Sequence, residues 1–371
     1  MSGSGGPELA AVRDLFAAEI ERGLETGVQL SVAHRGQVVD VAVGENGRGD
    51  ALTSESYVPW TCSSKPLGAL AFAESWDKAA VDLDTRVAEI LPEFGGGKET
   101  VTLRHLLTHT TGSSDPVMAL GAGAGAVPSW AEMNALIWAV ICAAPTRVPP
   151  GTAMIYNPVT NWYVLDRVLG AITGEGSSYR SFGARLGLAI SLGLDPSIPV
   201  EQQVTVHAPS EEQGGLQAMQ LASMLPLPGV GVWGPMHQLR VVGEVLLARG
   251  RHDGRQIVSS AGVEALTATH WPGSRYRSIC ETDFPYGLGV MTGPAIFGRR
   301  CSFRTYGHAG GNTSTLLVDP LFELVVAVYW NGRLDNVRTF ARRYALVRAL
   351  YDDLDLPRLP SAVADSPADG P

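Results

Sequence analysis

The chain has few cysteines, no long apolar run and no excess of basic residues. Its four cysteines, at positions 62, 142, 280 and 301, show no paired spacing, which argues against both a zinc knuckle and a disulfide framework. No run reaches the roughly 18 apolar residues that a membrane-spanning helix needs. A net charge of −9 argues against a nucleic-acid or anionic-membrane partner, because such partners require a clustered basic face. No metal or organic cofactor is expected either, since no His/Cys/Asp cluster has ligand spacing.

The composition is that of an ordinary globular protein. Of the 371 residues, 45% are hydrophobic and 18% are charged, so the chain can bury a sizeable core in one large or two smaller domains. Residues 1–7 contain neither the basic nor the apolar region of a secretory signal peptide. We therefore expect a soluble cytoplasmic protein.

The most informative stretch is T-C-S-S-K-P, which follows an extended aromatic segment and precedes an apolar helical pattern. If Cys62 opens that helix, Lys65 lies one turn further on the same face. A thiol at a helix N-terminus beside an ammonium has a lowered pKa, which is the setting of an activated nucleophile. The alternative is that Cys62 is a small buried hydrophobe, as cysteines often are.

Two further polar aromatic residues follow. His109 lies in the apolar segment 101–112 and is expected to bond backbone groups and fix the next loop, rather than to act in catalysis. Tyr156 comes just after a Pro-Gly-Thr turn, and a phenol near an ammonium can relay a proton to a leaving group. The alternative for Tyr156 is an interfacial tyrosine with a bonded hydroxyl.

A glycine-rich run, G-H-A-G-G at 307–311, precedes a predicted strand. Glycines let a strand edge approach a substrate closely. The backbone N–H of Gly311 is expected to pair with that of Cys62 as an oxyanion hole, and His308 stands between the glycines. By itself the run is weak evidence, because glycines before a strand are common in loops.

Strand patterns lie at both ends of the chain and helical patterns fill the middle. The predicted strands are 28–34, 38–43, 286–290, 313–318 and 324–330, and the predicted terminal helices are 8–23 and 337–351. The simplest architecture is of the α/β (α+β) class, with one antiparallel sheet built from both chain ends, helices on its faces and an inserted mainly helical region.

This architecture predicts how the chain divides. Residues 8–60 and 235–355 would form the sheet domain, and residues 61–234 the mainly helical region that carries the nucleophile and Tyr156. The tail 357–371, which is rich in Pro, Ala, Ser and Asp, is predicted to be disordered.

Taken in order, these motifs resemble the penicillin-binding proteins, the class C β-lactamases and their esterase relatives, over about residues 8 to 350. Cys62 and Lys65 stand where that family has S-x-x-K, with cysteine in place of the serine. Tyr156 opens the family's Y-x-N element, but Pro158 replaces the asparagine, as in the esterase branch. His308 stands where penicillin-recognising enzymes have the lysine of K-T-G. The resemblance implies a β-lactamase-like fold.

The resemblance also implies a mechanism. Cys62 would attack an acyl donor, Lys65 would take its proton and Tyr156 would pass it to the leaving group, while His308 lines the pocket and orients these groups. The intermediate would be a thioester, and thioesters favour amine and thiol nucleophiles over water more than oxygen esters do. We therefore hypothesise an acyltransferase with a small-molecule acyl donor and an amine or alcohol acceptor, of the kind used in natural-product biosynthesis.

Other interpretations stay open at this point. The protein is alternatively a carboxylesterase, Cys62 is alternatively an introduced replacement for serine, or the chain is a binding module that has lost its chemistry. β-Lactamase activity is not expected, because His308 removes the permanent cation that would bind a carboxylate. Trp60, Trp162 and Trp233 flank the motifs and suggest an apolar or aromatic substrate, or else simple packing.

Overall fold

The computed structural model describes residues 8–78, 80–120, 129–207, 216–273 and 284–359. Residues 1–7, Cys280 and most of the predicted tail therefore lie outside the described residues. The helices are α1 (Ala10–Glu21), α2 (Lys65–Asp77), α3 (Val87–Ile90), α4 (Leu103–Leu107), α5 (Pro116–Leu120), α6 (Trp130–Ala143), α7 (Thr160–Thr173), α8 (Ser178–Arg185), α9 (Leu216–Met224), α10 (Met236–Leu247), α11 (Ser260–Thr267) and α12 (Asn336–Asp353). The strands are β1 (Gly27–His34), β2 (Gln37–Gly44), β3 (Val58–Pro59), β4 (Ser191–Leu192), β5 (Val232–Gly234), β6 (Arg251–His252), β7 (Arg255–Gln256), β8 (Met291–Thr292), β9 (Tyr306–Gly310), β10 (Ser314–Asp319) and β11 (Leu324–Trp330).

The main sheet joins the two ends of the chain. Its strand order is β2-β1-β11-β10-β9-β8, and every neighbouring pair is antiparallel. The N-terminal hairpin meets the C-terminal strands where β1 pairs with β11, with Leu30 opposite Val328. The predicted α/β fold, with one antiparallel sheet built from both chain ends, is confirmed.

The central strands are buried on both faces. Val325 and Ala327 of β11 join the core cluster that contains α10, whereas Val326 and Val328 join the cluster that contains α1 and α12. Successive side chains of a strand point to opposite faces, so a strand covered on both sides is apolar throughout. At Gly243, α10 comes so close to β11 that an added Cβ would lie 2.5 Å from Val325.

One predicted strand is wrong. Residues 286–290 were expected to be extended, but Tyr286 forms only isolated bridges, to Trp271 and Met291, and the strand begins at Met291. The cause is a turn at Gly289, which has a φ of +87° and whose N–H bonds the Leu107 carbonyl. The backbone therefore bends towards α4 before it joins the sheet edge.

The segment between the sheet strands is mainly helical, as expected. It runs from α2 to α9 and also contributes β4 and β5, which form a small sheet with β3 in the order β3-β5-β4. The proposed division into residues 8–60 plus 235–355 and residues 61–234 stays a prediction. Among the residues that the structure describes, no helix is long and apolar enough to cross a membrane.

A buried charged cluster links α1, β1 and α12. Glu25 and Arg342 form an ion pair with a 2.6 Å contact, and both side chains are almost fully buried. Glu19 lies beside them and hydrogen-bonds Glu25. Burial, followed by the negative charge of Glu25, raises the pKa of Glu19 to about 8. The folded protein therefore holds a protonated carboxyl here at neutral pH.

This cluster predicts how stability changes with pH. The pKa of Glu19 rises from 4.5 to about 8 on folding. The contribution of the protonated Glu19 to the free energy of unfolding is therefore complete below about pH 4.5 and is lost as the pH rises through 8. We expect Glu19→Gln to flatten the fall in unfolding free energy over this range, by at most about 1.4 kcal/mol per pH unit. Urea unfolding at several pH values measures the slope. Exposed Glu21→Gln is the control, and equal slopes in the two variants would contradict the assignment.

Candidate active site

The predicted nucleophile lies on a short 3-10 turn, Thr61–Ser64, rather than in the helix itself. The expectation that Cys62 opens the helix is therefore wrong, because α2 begins at Lys65. The two side chains nevertheless face the same way, since positions i and i+3 eclipse one another in 3-10 geometry. Cys62 is buried, with 4% of its surface exposed.

The turn before the nucleophile is strained. Thr61 has a φ of +46°, a left-handed conformation that is an outlier for a β-branched residue. Its hydroxyl lies 3.1 Å from the Ser314 hydroxyl, and Ser314 Oγ lies 2.6 Å from the Trp60 carbonyl. Strand β10 therefore holds the turn in place. Such strain persists only where surrounding contacts over-determine it, and it concentrates at functional sites.

Lys65 is fully buried beside Cys62. Its Nζ donates hydrogen bonds to the carbonyls of Pro158 and Gly229, each at 2.9 Å, and also contacts the Cys62 thiol. Burial lowers the pKa of Lys65, although Cys62 and Asp115 oppose this shift. The amine is thus closer to neutral than an exposed lysine, and a neutral amine can accept a proton.

Tyr156 approaches the same thiol from the other side. Its hydroxyl hydrogen-bonds Cys62, and its ring centroid is 5.5 Å from the Lys65 amine. Burial raises the pKa of Tyr156 well above its usual value, and the neighbouring Cys62 acts in the same direction. The phenol therefore keeps its proton. Lys65, with a lowered pKa, and Tyr156, with a raised pKa, thus contact the same thiol.

The departure at Pro158 has a structural explanation. The asparagine of the family's Y-x-N element is missing here, and the backbone carbonyl of Pro158, at the same position, accepts a hydrogen bond from Lys65. Asn157 turns away and donates to the Ser113 carbonyl at 2.9 Å. The amine therefore has its hydrogen-bond acceptors without the asparagine.

Sequence reasoning missed Asp115. Its carboxylate accepts the backbone N–H groups of Val159 and Thr160 at 2.8 and 3.1 Å, which caps α7, and it contributes a negative charge near Lys65. The S-D-P sequence at 114–116 is a helix-start signal for α5. That local signal carries no information on the second helix that Asp115 also caps.

The glycine-rich end of β9 lies against the turn Thr61–Ser64 that carries Cys62. A Cβ added to Gly310 would lie 2.6 Å from the Cys62 nitrogen and 2.7 Å from the Ser63 nitrogen. Gly311 follows with a φ of +54°, a conformation that favours glycine. The close approach depends on the missing side chain at position 310. The pairing of the Cys62 and Gly311 amides as an oxyanion hole stays a prediction.

His308 is fully buried, and both of its ring nitrogens are occupied. Nε2 lies 2.9 Å from the Tyr286 hydroxyl, and Nδ1 lies 2.8 Å from the Ala309 carbonyl. Burial and then the charge of Lys65 lower the pKa of His308 well below its usual range. His308 is thus a neutral group behind the site, and its ring centroid is 6.3 Å from that of Tyr156.

His109 bonds a backbone group, as the sequence predicted, but that group lies in the loop after Tyr156 and not in the loop that follows His109. Its Nδ1 accepts the Asn157 N–H at 3.1 Å, which fixes the loop after Tyr156, and its ring lies 4.4 Å from the Tyr156 ring. It also contacts Tyr286, which the sequence did not single out.

The three tryptophans are buried rather than open to solvent. Trp60, Trp162 and Trp233 are 0%, 1% and 5% exposed. The indole N–H groups of Trp60 and Trp233 donate to the Gly234 and Ser223 carbonyls. Trp162 lies 5.9 Å from the Lys65 amine. Burial and these hydrogen bonds agree with the alternative that Trp60 and Trp233 serve packing. A substrate-lining role for the three tryptophans stays a prediction.

Among the residues that the structure describes, no group of three His, Cys, Asp or Glu side chains is arranged to hold a metal ion. Cys62, Cys142 and Cys301 are free thiols. The chemistry available here is that of a thiol, a buried amine and a protonated phenol.

A buried lysine and a partly buried tyrosine contact one thiol between a sheet edge and a helical region, an arrangement typical of enzymes of the hydrolase and acyl-transfer class. The family model for Beta-lactamase matches residues 12–351, and the chain belongs to that family.

The known relatives agree with this class. Penicillin-binding protein 4 of Amycolatopsis lactamdurans is 25% identical over 328 residues, which are 82% of this chain and 81% of that protein. A family VIII carboxylesterase superposes with a TM-score of 0.74 at 21% identity, covering 95% of this chain and 99% of that one. EstCE1, described as a hydrolase with promiscuous acyltransferase activity, superposes with a TM-score of 0.75 at 18% identity. The match covers 92% of this chain and 98% of that one. Both structures share the fold of this chain.

The position of Lys65 predicts the reactivity of Cys62. We expect Lys65→Met to slow alkylation of Cys62 by a small thiol reagent about tenfold or more, because the buried amine that contacts the thiol is gone. Peptide mass spectrometry over time measures the rate at each cysteine. Cys301 should react slowly, because burial raises its pKa to about 12.

Lys98→Met is the matched control for this experiment. Lys98 is also buried, and its Nζ donates to two backbone carbonyls, those of Cys142 and Ala144. Both variants therefore leave two carbonyls without their donor, at a cost of about 1–3 kcal/mol each. If Lys98→Met slowed Cys62 alkylation as much as Lys65→Met, the effect would be one of general destabilisation.

The close approach at Gly310 gives a second test. Gly310→Ala should lower the turnover of an activated ester about a hundredfold, because the new methyl would displace the rigid backbone around Cys62. At Gly176 an added Cβ meets no atom within 4 Å, so Gly176→Ala is the control. Steady-state kinetics and thermal unfolding would be measured on both. An active Gly310→Ala enzyme would show that β9 does not need this contact.

Proposed function

We propose that the protein is an acyltransferase that works through a thioester on Cys62. It moves an acyl group from an ester or thioester donor to an amine or alcohol acceptor. The observation that carries this proposal is the convergence of Lys65 and Tyr156 on the Cys62 thiol. The lowered pKa of Lys65 makes it the proton acceptor, and the raised pKa of Tyr156 makes it a proton donor.

The first step forms the acyl-enzyme. Sγ of Cys62 attacks the donor carbonyl carbon as Lys65 Nζ takes the thiol proton. Negative charge develops on the carbonyl oxygen, where the N–H groups of Cys62 and Gly311 stabilise it. The bond to the leaving oxygen or sulfur then breaks. The leaving group takes a proton from the Tyr156 hydroxyl, which regains one from Lys65, so a thioester and a neutral amine remain.

The second step transfers the acyl group. An amine or alcohol attacks the thioester carbonyl and gives its proton to Lys65, through Tyr156. The carbon–sulfur bond breaks and Cys62 leaves as a thiolate, which takes the proton back from Lys65. The cycle is balanced and needs no metal or organic cofactor.

A cavity close to the site supports an apolar acyl group as the substrate. An apolar cavity lies close to the residues that hold Lys65. Two of its lining residues, Val159 and Leu227, are near Pro158 and Gly229 in the sequence. Its walls include Val117, Met133, Ile137, Val159 and Leu227. Apolar groups are bound in such cavities by removal from water. We propose that this cavity takes the alkyl or aryl part of the acyl group.

The neutral His308 argues against a β-lactam substrate. Penicillin-recognising relatives have a lysine at this position, whereas here burial holds the imidazole uncharged. A buried neutral ring offers no cation to a substrate carboxylate. Acylation of an amine or alcohol is instead a step used in natural-product biosynthesis, including that of antibiotics, and we propose that setting for the enzyme.

Carboxylesterase activity is the second candidate. Pro158 favours it, because proline occurs at that position in the esterase branch of the family. The two functions share the acyl-enzyme and differ only in whether water or another nucleophile resolves it.

The decisive experiment is intact-mass analysis after exposure to a panel of activated alkyl and aryl esters, with and without added amines or alcohols. We expect an acyl adduct on the wild type, absent from Cys62→Ala, that disappears at least tenfold faster with acceptor and yields an amide or ester. A tenfold difference corresponds to about 1.4 kcal/mol in the barrier.

Other outcomes separate the alternatives. An adduct that clears equally fast in water alone would make the protein an esterase. A Cys62→Ser variant that turns over far better than the wild type would indicate that the cysteine replaces an original serine. A wild type that forms no adduct with any donor would favour a binding module.

A further inference from the structure

A chain of hydrogen bonds runs behind Tyr156, from the loop that follows it to strand β9. The Asn157 N–H donates to His109 Nδ1 at 3.1 Å. His109 Nε2 lies 3.4 Å from the Tyr286 hydroxyl, which lies 2.9 Å from His308 Nε2. His308 Nδ1 closes the chain at the Ala309 carbonyl, 2.8 Å away. The side chains of His109, Tyr286 and His308 are fully buried.

The two ends of this chain fix the protons along it. A peptide N–H can only donate, so His109 Nδ1 accepts and its hydrogen is on Nε2. A peptide carbonyl can only accept, so the hydrogen of His308 is on Nδ1 and its Nε2 accepts. The Tyr286 hydroxyl then accepts from His109 and donates to His308. The two imidazoles are neutral and in opposite tautomers.

Burial and the nearby charges keep both histidines of this hydrogen-bonded chain neutral. Burial lowers the pKa of both histidines well below the usual range, and the charge of Lys65 acts in the same direction on each. Arg343 of α12 adds to the effect on His308. Burial also raises the pKa of Tyr286, with a smaller contribution from Cys62, so its hydroxyl keeps its hydrogen.

Both ends of this series of hydrogen bonds lie beside the reacting groups. Asn157 directly follows Tyr156, whose ring lies 4.4 Å from that of His109. At the other end, the backbone carbonyl of His308 accepts the Ser63 hydroxyl at 3.0 Å, next to Cys62. Tyr286 therefore lies between the segment that carries the proton donor and the strand that holds the nucleophile turn.

We propose that Tyr286 is a positioning residue for the reaction at Cys62. By accepting from one imidazole and donating to the other, it keeps the Tyr156 loop and strand β9 at a fixed separation on either side of Cys62. Without its hydroxyl the two Nε2 atoms have no bridge, and each buried ring loses one partner. The kinetic part of this proposal rests on the acyl-enzyme function, whereas the assignment of tautomers does not.

The first test needs no turnover. Long-range 1H–15N NMR spectra of 15N-histidine-labelled protein distinguish the two neutral tautomers, and His109→Asn and His308→Asn variants assign the signals. We expect Nε2–H at His109 and Nδ1–H at His308, both without titration between about pH 5 and 9. A protonated ring, or the same tautomer at both positions, would overturn the proposal.

The second test compares Tyr286→Phe with Tyr329→Phe. Both residues are fully buried, but the Tyr329 hydroxyl has no hydrogen-bond partner within the described part of the chain, so its loss breaks no bond. We expect Tyr286→Phe to lower kcat for an activated ester about ten- to a hundredfold, with KM within about twofold and a changed tautomer at one histidine.

Two results bear on this comparison. An unchanged kcat in a folded Tyr286→Phe protein, checked by its Tm against Tyr329→Phe, would overturn the positioning role. An inactive wild type would contradict the acyltransferase instead. In that case the alkylation rate of Cys62 replaces kcat as the readout, and an equal rate in wild type and Tyr286→Phe would likewise overturn the proposal.

Discussion

The site depends on one constraint, the burial of the Lys65 amine. Removing an ammonium from water disfavours its charged form, and no carboxylate of the described residues bonds it directly. Two backbone carbonyls, from Pro158 and Gly229, accept from the amine in either protonation state and fix its direction. The same dry environment keeps the Tyr156 phenol protonated. Desolvation is therefore the largest cause of both pKa shifts, which are opposite in direction for two groups at the same thiol.

This burial is possible only because distant parts of the chain close around the amine. The Pro158 and Gly229 carbonyls are 93 and 164 positions away from Lys65 in the sequence. Pairing of β1 with β11 brings the two chain ends into one sheet and sets β9 against the Cys62 turn. The strained Thr61 and the side-chain-free Gly310 make that contact tight. The buried chain through Tyr286 joins the same two sides from behind.

Much of the fold and of the site could be predicted from local patterns. The hairpin, β10, β11, α6 and α12 follow from periodicity, and the motifs around Cys62, Tyr156 and His308 follow from their order in the chain. What could not be predicted are contacts with no local signature. Asp115 shows only a helix-start pattern, although it caps two helices and lies near Lys65. Tyr286 looked like part of a strand, but the bend at Gly289 turns its segment towards His109 and His308.

The sequence by itself determined the β-lactamase-like fold and the order of the motifs around Cys62, Tyr156 and His308, because these are properties of residue identity and short spacing. Only the tertiary structure decided that the Pro158 carbonyl accepts from Lys65, that His308 is a neutral residue behind the site, and that Tyr286 bridges two histidines. Those outcomes depend on burial and on the direction of hydrogen bonds between residues up to 177 positions apart. No local pattern encodes which carbonyl or ring will lie next to a given side chain once the sheet has closed.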